Sequence, residues 1–216
     1  MKTVQHATEI LERGFCTVDG FFSPDEQQEM RDRLGAFWRA QGAPPMKGFG
    51  FNIHPLLPRI PELKRFLVHP ELMGLLGEMF GEDAVLKHGG ARMSDQNCDA
   101  AIGWHDHYHW DPAPIPARTR CERLLVGIYV DGSNAQSGPL TAIPRRFNEP
   151  LGAAPVGDDP REVAVDCPPG SLVIFDTALW HRAKRGGAPA IRHLYGGHYM
   201  PRSDPRTHPE DNDVSV

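Results

Sequence analysis

No run of residues in this chain is apolar over the roughly 20 positions that a membrane-crossing helix needs. The opening Met1-Lys2-Thr3-Val4-Gln5-His6 leads into a charged amphipathic stretch, without the apolar centre of a signal peptide. Positive charge is in short supply as well. Against 28 Asp and Glu stand 23 Lys and Arg, for a formal net charge of −5. No basic stripe is left to neutralise phosphates, which argues against a nucleic-acid partner. The densest basic cluster, Arg182, Lys184 and Arg185, is short enough to be a solvated loop. The cysteines Cys16, Cys98, Cys121 and Cys167 are far apart and form no CxxC pair. Neither a zinc ribbon nor a disulfide framework follows, and free thiols in a reducing compartment are expected. Internal repeats and low-complexity linkers are also missing. Together these absences predict a cytoplasmic protein with neither a nucleic-acid nor a membrane partner; they leave its oligomeric state open.

What is present suits one domain. The length of 216 residues supports one real core, and 40% hydrophobic with 24% charged residues is an ordinary globular balance. The texture divides that domain into mainly helical support over 1–82, a β core over 83–200, and a loosely held polar tail over 201–216. The clearest helix starts at Ser23, an N-cap followed by Pro24 at the first position and by Glu26 completing a capping box. Met30, Leu34, Phe37 and Trp38 recur at helical spacing, and Gly42 ends the run. A second helix begins near Pro70, carries Leu72, Leu75, Leu76 and Met79 on one face, and stops at Gly81. Met1 to Arg13 suggests a shorter one. These apolar stripes read as core.

Beyond Gly81 short β-branched or aromatic runs alternate with Gly, Pro, Asn and Asp, predicting strands at 84–87, 101–105, 124–130, 140–143, 163–165, 171–175 and 191–199. Helices first and many short strands after indicate a mainly β, α+β fold, with helices buttressing an antiparallel sandwich or barrel.

The chemistry concentrates in Gly103-Trp104-His105-Asp106-His107-Tyr108-His109-Trp110-Asp111-Pro112. On a strand, His105, His107, His109 and Asp111 would share one face. Neighbours on that face are about 6.5–7 Å apart, so two of them can reach one ion at about 2.1 Å per bond. A third ligand from elsewhere would complete the open, three-ligand set used by iron oxygenases. Two other readings stand beside this one: histidines decorating a strand end, or a helical His105-Asp106-x-x-His109 variant of a zinc-hydrolase motif with Asp106 as base. Gly103 before the motif, the aromatics within it, and Pro112 and Pro114 after it argue against the helix.

The candidate third ligand is His181, at the far end of the buried strand in Pro169-Gly170-Ser171-Leu172-Val173-Ile174-Phe175. A Gly/Pro loop then leads to a further strand carrying Arg192. Such a hairpin brings Arg192 towards the metal pocket, where its planar fork can hold a carboxylate bidentately.

At these residues the chain resembles the phytanoyl-CoA dioxygenase family of iron/2-oxoglutarate oxygenases, over nearly its whole length. Gly14-Phe15-Cys16-Thr17-Val18 with Phe21-Phe22-Ser23-Pro24-Asp25-Glu26 is similar to that family's first strand and helix. His69 to Asp83 resembles its next helix, and Gly138-Pro139-Leu140-Thr141-Ala142-Ile143-Pro144 the segment before its distal half. Pro169 to Phe175, ending in Trp180-His181, resembles its distal-histidine strand, with Arg192 at the spacing of its 2-oxoglutarate arginine. The resemblance implies a double-stranded β-helix, Fe(II), 2-oxoglutarate and O2, with His181 on the metal and Arg192 on the co-substrate. It implies oxidation of an unidentified small molecule, with succinate and CO2 as co-products.

One departure bears on chemistry. The family usually reads Trp-His-x-Asp, whereas Trp104-His105-Asp106-His107 puts histidine where the carboxylate belongs. Four residues on, His109-Trp110-Asp111 restores His-x-Asp. The sequence therefore offers His105 with His107 as the metal pair, and His109 with Asp111 as the alternative. Three histidines also suit a metal dioxygenase that does not use 2-oxoglutarate. Arg145-Arg146-Phe147 stands where the family often has Gly-Ser-His, and reads as a loop change. Trp104, Tyr108, Trp110 and Pro112 to Pro116 are candidate pocket walls, and His88, Arg92, His193 and His198 lie on strands that could face the site, His88 reading rather as a satisfied strand residue.

Overall fold

The structure, a computed structural model, describes residues 2–108, 110–185, 190–207 and 211. Its first helix, α1 (Lys2–Arg13), hands over to β1 (Phe15–Val18) through Gly14. That residue has φ +79°, and a Cβ there would come within 2.8 Å of the Leu179 side chain, so only glycine fits the joint. Helix α2 (Pro24–Ala40) starts with the expected capping box: the Ser23 side chain accepts from the Glu26 N–H, and the Glu26 carboxylate accepts from the Ser23 N–H at 2.8 Å. After β2 (Phe51–Ile53), a 3₁₀ turn (Pro61–Leu63) leads into α3 (Lys64–Leu67). Helix α4 (Pro70–Phe80) ends where Gly81 takes the left-handed conformation, φ +76°.

Eight further strands follow: β3 (Ala84–Ser94), β4 (Ile102–His105), β5 (Leu124–Tyr129), β6 (Leu140–Ala142), β7 (Val163–Val165), β8 (Ser171–Asp176), β9 (His181–Ala183) and β10 (Arg192–Pro201). All pair antiparallel, in a six-stranded sheet ordered β1-β8-β5-β10-β3-β2 and a four-stranded sheet ordered β4-β9-β6-β7. The chain passes repeatedly from one sheet to the other, which is the winding of a double-stranded β-helix. No described helix is long and apolar enough to cross a membrane, and the four cysteines are free and buried.

Period-two alternation decides what each face of the larger sheet meets. On β8, Leu172 and Ile174 join the core beneath the helices, packed with Met30, Leu34, Phe66 and Leu76, while Val173 and Phe175 point between the sheets. The helices therefore cover one face of the large sheet, and the small sheet covers part of the other. The space left between the sheets holds the site.

Several expectations need correction. Strand β3 continues seven residues beyond Lys87, through Gly89-Gly90, because that pair lies in the middle of a ladder against Gly196-Gly197 of β10 and is no turn. The first eighty residues, read as mainly helical with a first strand at 14–18, carry that strand as β1 and a second, unexpected one, β2. The described part of the polar tail, residues 201–207 and 211, is anchored: Asp204 is buried, Arg206 binds Asp204 and Glu122, and Asp211 binds Arg123.

Candidate metal centre and its cavity

His105 closes β4 directly opposite His181, the first residue of β9. Their ring centroids are 4.1 Å apart, and the His107 ring lies 5.0 Å from His105 and 4.9 Å from His181. One ring nitrogen from each of the three falls within 4.8 Å of the others. The backbone sets the tautomer of two of them. His105 Nδ1 is 2.8 Å from the Gly103 carbonyl, and His181 Nδ1 is 2.8 Å from the Leu179 carbonyl. A carbonyl only accepts, so each Nδ1 carries the proton and each Nε2 keeps a lone pair. Burial pushes the His181 imidazole down to about 3, with His105 adding to the shift, and burial also lowers His105.

His107 reaches this group by a route the strand pattern did not foresee. Strand β4 ends at His105 after a register irregularity. The His107 N–H then donates to the Thr177 carbonyl at 2.8 Å, and the Asp106 carboxylate accepts from the Tyr108 N–H at 2.8 Å. The face-sharing of His105, His107, His109 and Asp111 on one strand is thus overturned for the described residues, and residues 106–108 form no helix either. His109 lies outside the described residues. Asp111 is exposed and is not part of the three-donor group.

The segment before His181 is held by a buried charge cluster. Asp176, fully buried, accepts from Arg118 and from Arg145, the latter at 3.1 Å. Arg145 also donates to the Ala178 carbonyl at 2.7 Å, and the Ala178 N–H donates to Asp176 at 3.1 Å. Thr177 and Leu179, whose carbonyls serve His107 and His181, lie within this clamp. Arg145 is therefore an anchor and not a mere loop change.

A cavity of about 350 Å³ opens between the sheets, and His105, His107 and His181 line it. Arg192 lines it as well, but not through the expected hairpin: β9 and β10 belong to different sheets, and Arg192 reaches the cavity from the large one. Its Nη1 donates to the carbonyls of Ser137 and Gly138 at 3.1 and 3.0 Å, and its guanidinium lies 5.3 Å from the centre of the Tyr129 ring. Its Nε is buried and has no hydrogen-bond partner among the described residues. Next to His107, 5.2 Å from its ring, stands His198, which stacks on His88 at 4.2 Å, with His54 edge-on to His88 at 5.7 Å. Arg123, fully buried, donates through Nε to His198 Nδ1 at 3.1 Å and also contacts His88 and Asp211. His88 is a satisfied strand residue, as read, bonded to Arg123 and Asp211, and it also lines the cavity. His193 belongs elsewhere, bound to Asp131 at 2.8 Å.

The aromatic residues proposed as pocket walls do not line the cavity. Trp104 stacks under Arg182 and donates to the Gly157 carbonyl, Tyr108 donates to Glu122, and Trp110 lies between Arg123 and Arg206. They pack the outer side of the histidine segment.

Comparison with known proteins places this geometry. No curated protein sequence matches the chain. Solved structures do so in shape: AviO1 from Streptomyces viridochromogenes Tue57 superposes with a TM-score of 0.73 at 17% identity, over 95% of this chain and 98% of that one. HygX from Streptomyces hygroscopicus, solved with nickel and 2-oxoglutarate bound, gives 0.76 at 15% identity, over 92% and 87%. EctD from S. alaskensis, solved with 2-oxoglutarate and 5-hydroxyectoine, gives 0.74 at 17%, over 97% and 80%. At these identities the likeness establishes the double-stranded β-helix. The profile of the phytanoyl-CoA dioxygenase (PhyH) family matches residues 10–194, and the chain therefore belongs to that family of iron- and 2-oxoglutarate-dependent oxidoreductases.

Proposed function

We propose that this protein is a non-haem Fe(II)- and 2-oxoglutarate-dependent oxygenase in which His105, His107 and His181 hold the metal and Arg192 holds the co-substrate. The observation that carries the reading is the convergence of three imidazole nitrogens, within 4.8 Å of one another, in the cavity that also takes Arg192. The donor set fits the ion: neutral imidazoles suit iron among other first-row metals, and three protein ligands leave positions open. The orphaned Nε of Arg192 and its fork suit a carboxylate. When bound, iron with 2-oxoglutarate supplies the oxidising chemistry: O2, 2-oxoglutarate and a substrate C–H are converted to succinate, CO2 and a substrate C–OH.

The chain's own part is positioning. The carbonyls of Gly103 and Leu179 fix two ring tautomers, so the metal-facing lone pairs need no reorganisation. Burial of His181 limits competition by protons for its lone pair. Arg192, itself pinned by two carbonyls, sets how far from the metal the remote carboxylate lies. The cavity lies within the usual size range of small-molecule sites, about 300–1,000 Å³.

The absence of a carboxylate from the donor group, among the described residues, favours one second reading, a three-histidine metal dioxygenase that does not use 2-oxoglutarate. A zinc hydrolase built on a helix at 105–109 loses its support, since His105 lies on a strand. Nickel titration of the anaerobic protein by calorimetry tests the ligand set. His105→Ala, His107→Ala and His181→Ala should each weaken binding at least tenfold, while Asp111→Ala leaves it unchanged. Loss on Asp111→Ala with retention on His107→Ala would transfer the site to the other pair.

A further inference from the structure

The larger sheet turns a row of glycines towards the cavity. Gly196 of β10 is the cross-strand partner of both Gly90 on β3 and Gly127 on β5. Side chains at these three positions would point to the inner face, and their absence leaves a bare floor across three strands. The close packing explains part of this: a Cβ on Gly196 would run into the Val126 carbonyl. It does not explain Gly90, where a Cβ would meet only the His54 ring at 3.5 Å and the Ile53 carbonyl at 3.8 Å, ordinary contact distances. The floor at Gly90 is open because space is kept there.

Two residues along β3 from that floor, on the same face, stands Arg92, paired across the ladders with Leu194 of β10 and Asn52 of β2. Arg92 lines the cavity and is partly buried. Among the described residues its guanidinium makes no hydrogen bond and no ion pair. The cavity offers it no counter-ion, because no Asp or Glu lines the wall. The other two arginines there are accounted for. Arg182 is paired with Glu162 and Asp158, and Arg192 is bonded to carbonyls. Burial and the nearby Arg192 charge both push Arg92 below the usual arginine range, the mark of a cation lacking its partner.

Resting on the function proposed above, we infer that the primary substrate is a small oxyanion, a carboxylate or phosphate, seated over the glycine floor with its charged group on Arg92. Charge counting supports the assignment. The two negative charges of 2-oxoglutarate are matched by Arg192 and by one charge of the divalent metal. Three neutral imidazoles, where the family usually has two and a carboxylate, leave the second metal charge uncompensated. Arg92 adds another. A neutral substrate would leave two positive charges facing each other in a low-dielectric cavity, whereas a monoanion offsets one of them and a dianion both. Arg92 and His105 line the same cavity, so an anion on Arg92 would share that cavity with the metal centre.

The assignment is tested on protein loaded with nickel and saturating 2-oxoglutarate, so that Arg192 is already engaged. Benzoate, inorganic phosphate and, as a neutral control, benzamide are titrated by calorimetry into wild type, Arg92→Met and Arg92→Lys. Saturable binding of at least one of the two anions is expected in wild type, at least tenfold weaker in Arg92→Met and partly restored in Arg92→Lys. Benzamide should not bind, and 2-oxoglutarate affinity should stay within about threefold across the set. Anion binding that is absent in wild type or equal in Arg92→Met would overturn the inference. So would a collapse of 2-oxoglutarate affinity in Arg92→Met, which would make Arg92 a second arm of the co-substrate clamp. Failure of the underlying reading looks different, as wild-type protein that binds nickel but no 2-oxoglutarate. In that case the anion titration is read on nickel-loaded Arg192→Ala with and without Arg92→Met, and equal binding there overturns the inference.

Discussion

Burial gives His181 a measurable signature of its own. In the unfolded chain this imidazole takes up a proton near pH 6.5, whereas in the fold it does so only at about 3. Between those values the unfolded state binds one more proton than the folded state. Metal-free protein should therefore lose stability as pH falls through that window, by up to about 1.4 kcal/mol per pH unit from this residue alone. Urea unfolding of wild type and His181→Phe at a series of pH values checks this, the variant giving the flatter profile between pH 6 and pH 4. Asp176 is the other residue whose removal should be felt at the site. It is the buried acceptor of Arg118 and Arg145, so Asp176→Asn should cost about 3–5 kcal/mol by leaving buried cations underpaired. Because the same clamp holds Thr177 and Leu179, nickel affinity should fall in parallel. Retained affinity at reduced stability would show that the clamp serves folding alone.

At the scale of elements, legibility followed the range of the interaction. The N-cap Ser23 and the stop at Gly81 are local chemistry, and both appear where the sequence places them. Ser23→Ala removes the side-chain acceptor at the Glu26 N–H and should cost about 1 kcal/mol without affecting the cavity, measurable by denaturant unfolding with 2-oxoglutarate binding as control. His105, His107 and His181 were legible as chemistry, from residue type and from the family resemblance. The route by which His107 joins them was not, because it depends on a hydrogen bond to Thr177, seventy residues away. Arg145 and Arg123 were illegible for the same reason: an arginine in a loop shows its role only when distant partners arrive. Gly89-Gly90 misled in the other direction. A glycine pair reads locally as a break, yet cross-strand pairing with Gly196-Gly197 extends β3 through it.

For the whole molecule, one arrangement explains most of the sequence. Helices cap one face of a six-stranded sheet, which frees the other face to form a cavity with the four-stranded sheet. The proposed metal ligands come from the small sheet and the turn after it, while Arg192 and the glycine floor come from the large one. The proposed assignment has metal and co-substrate held from opposite walls, which predicts separable losses. Replacing Arg192 should remove 2-oxoglutarate and spare the metal, whereas replacing His181 should remove both. The tail belongs to this arrangement too, since Asp211 pairs with the Arg123 that backs His198, and Arg206 covers Trp110. The central claim, that one cavity holds iron and 2-oxoglutarate together, is tested most directly by titrating 2-oxoglutarate into anaerobic Fe(II)-loaded protein and following the visible charge-transfer band of the chelate. A saturable band in wild type, lost in Arg192→Ala while iron stays bound, is the predicted result. Iron demonstrably bound with no band at any 2-oxoglutarate concentration would contradict the account and move the protein to the three-histidine dioxygenases that work without that co-substrate.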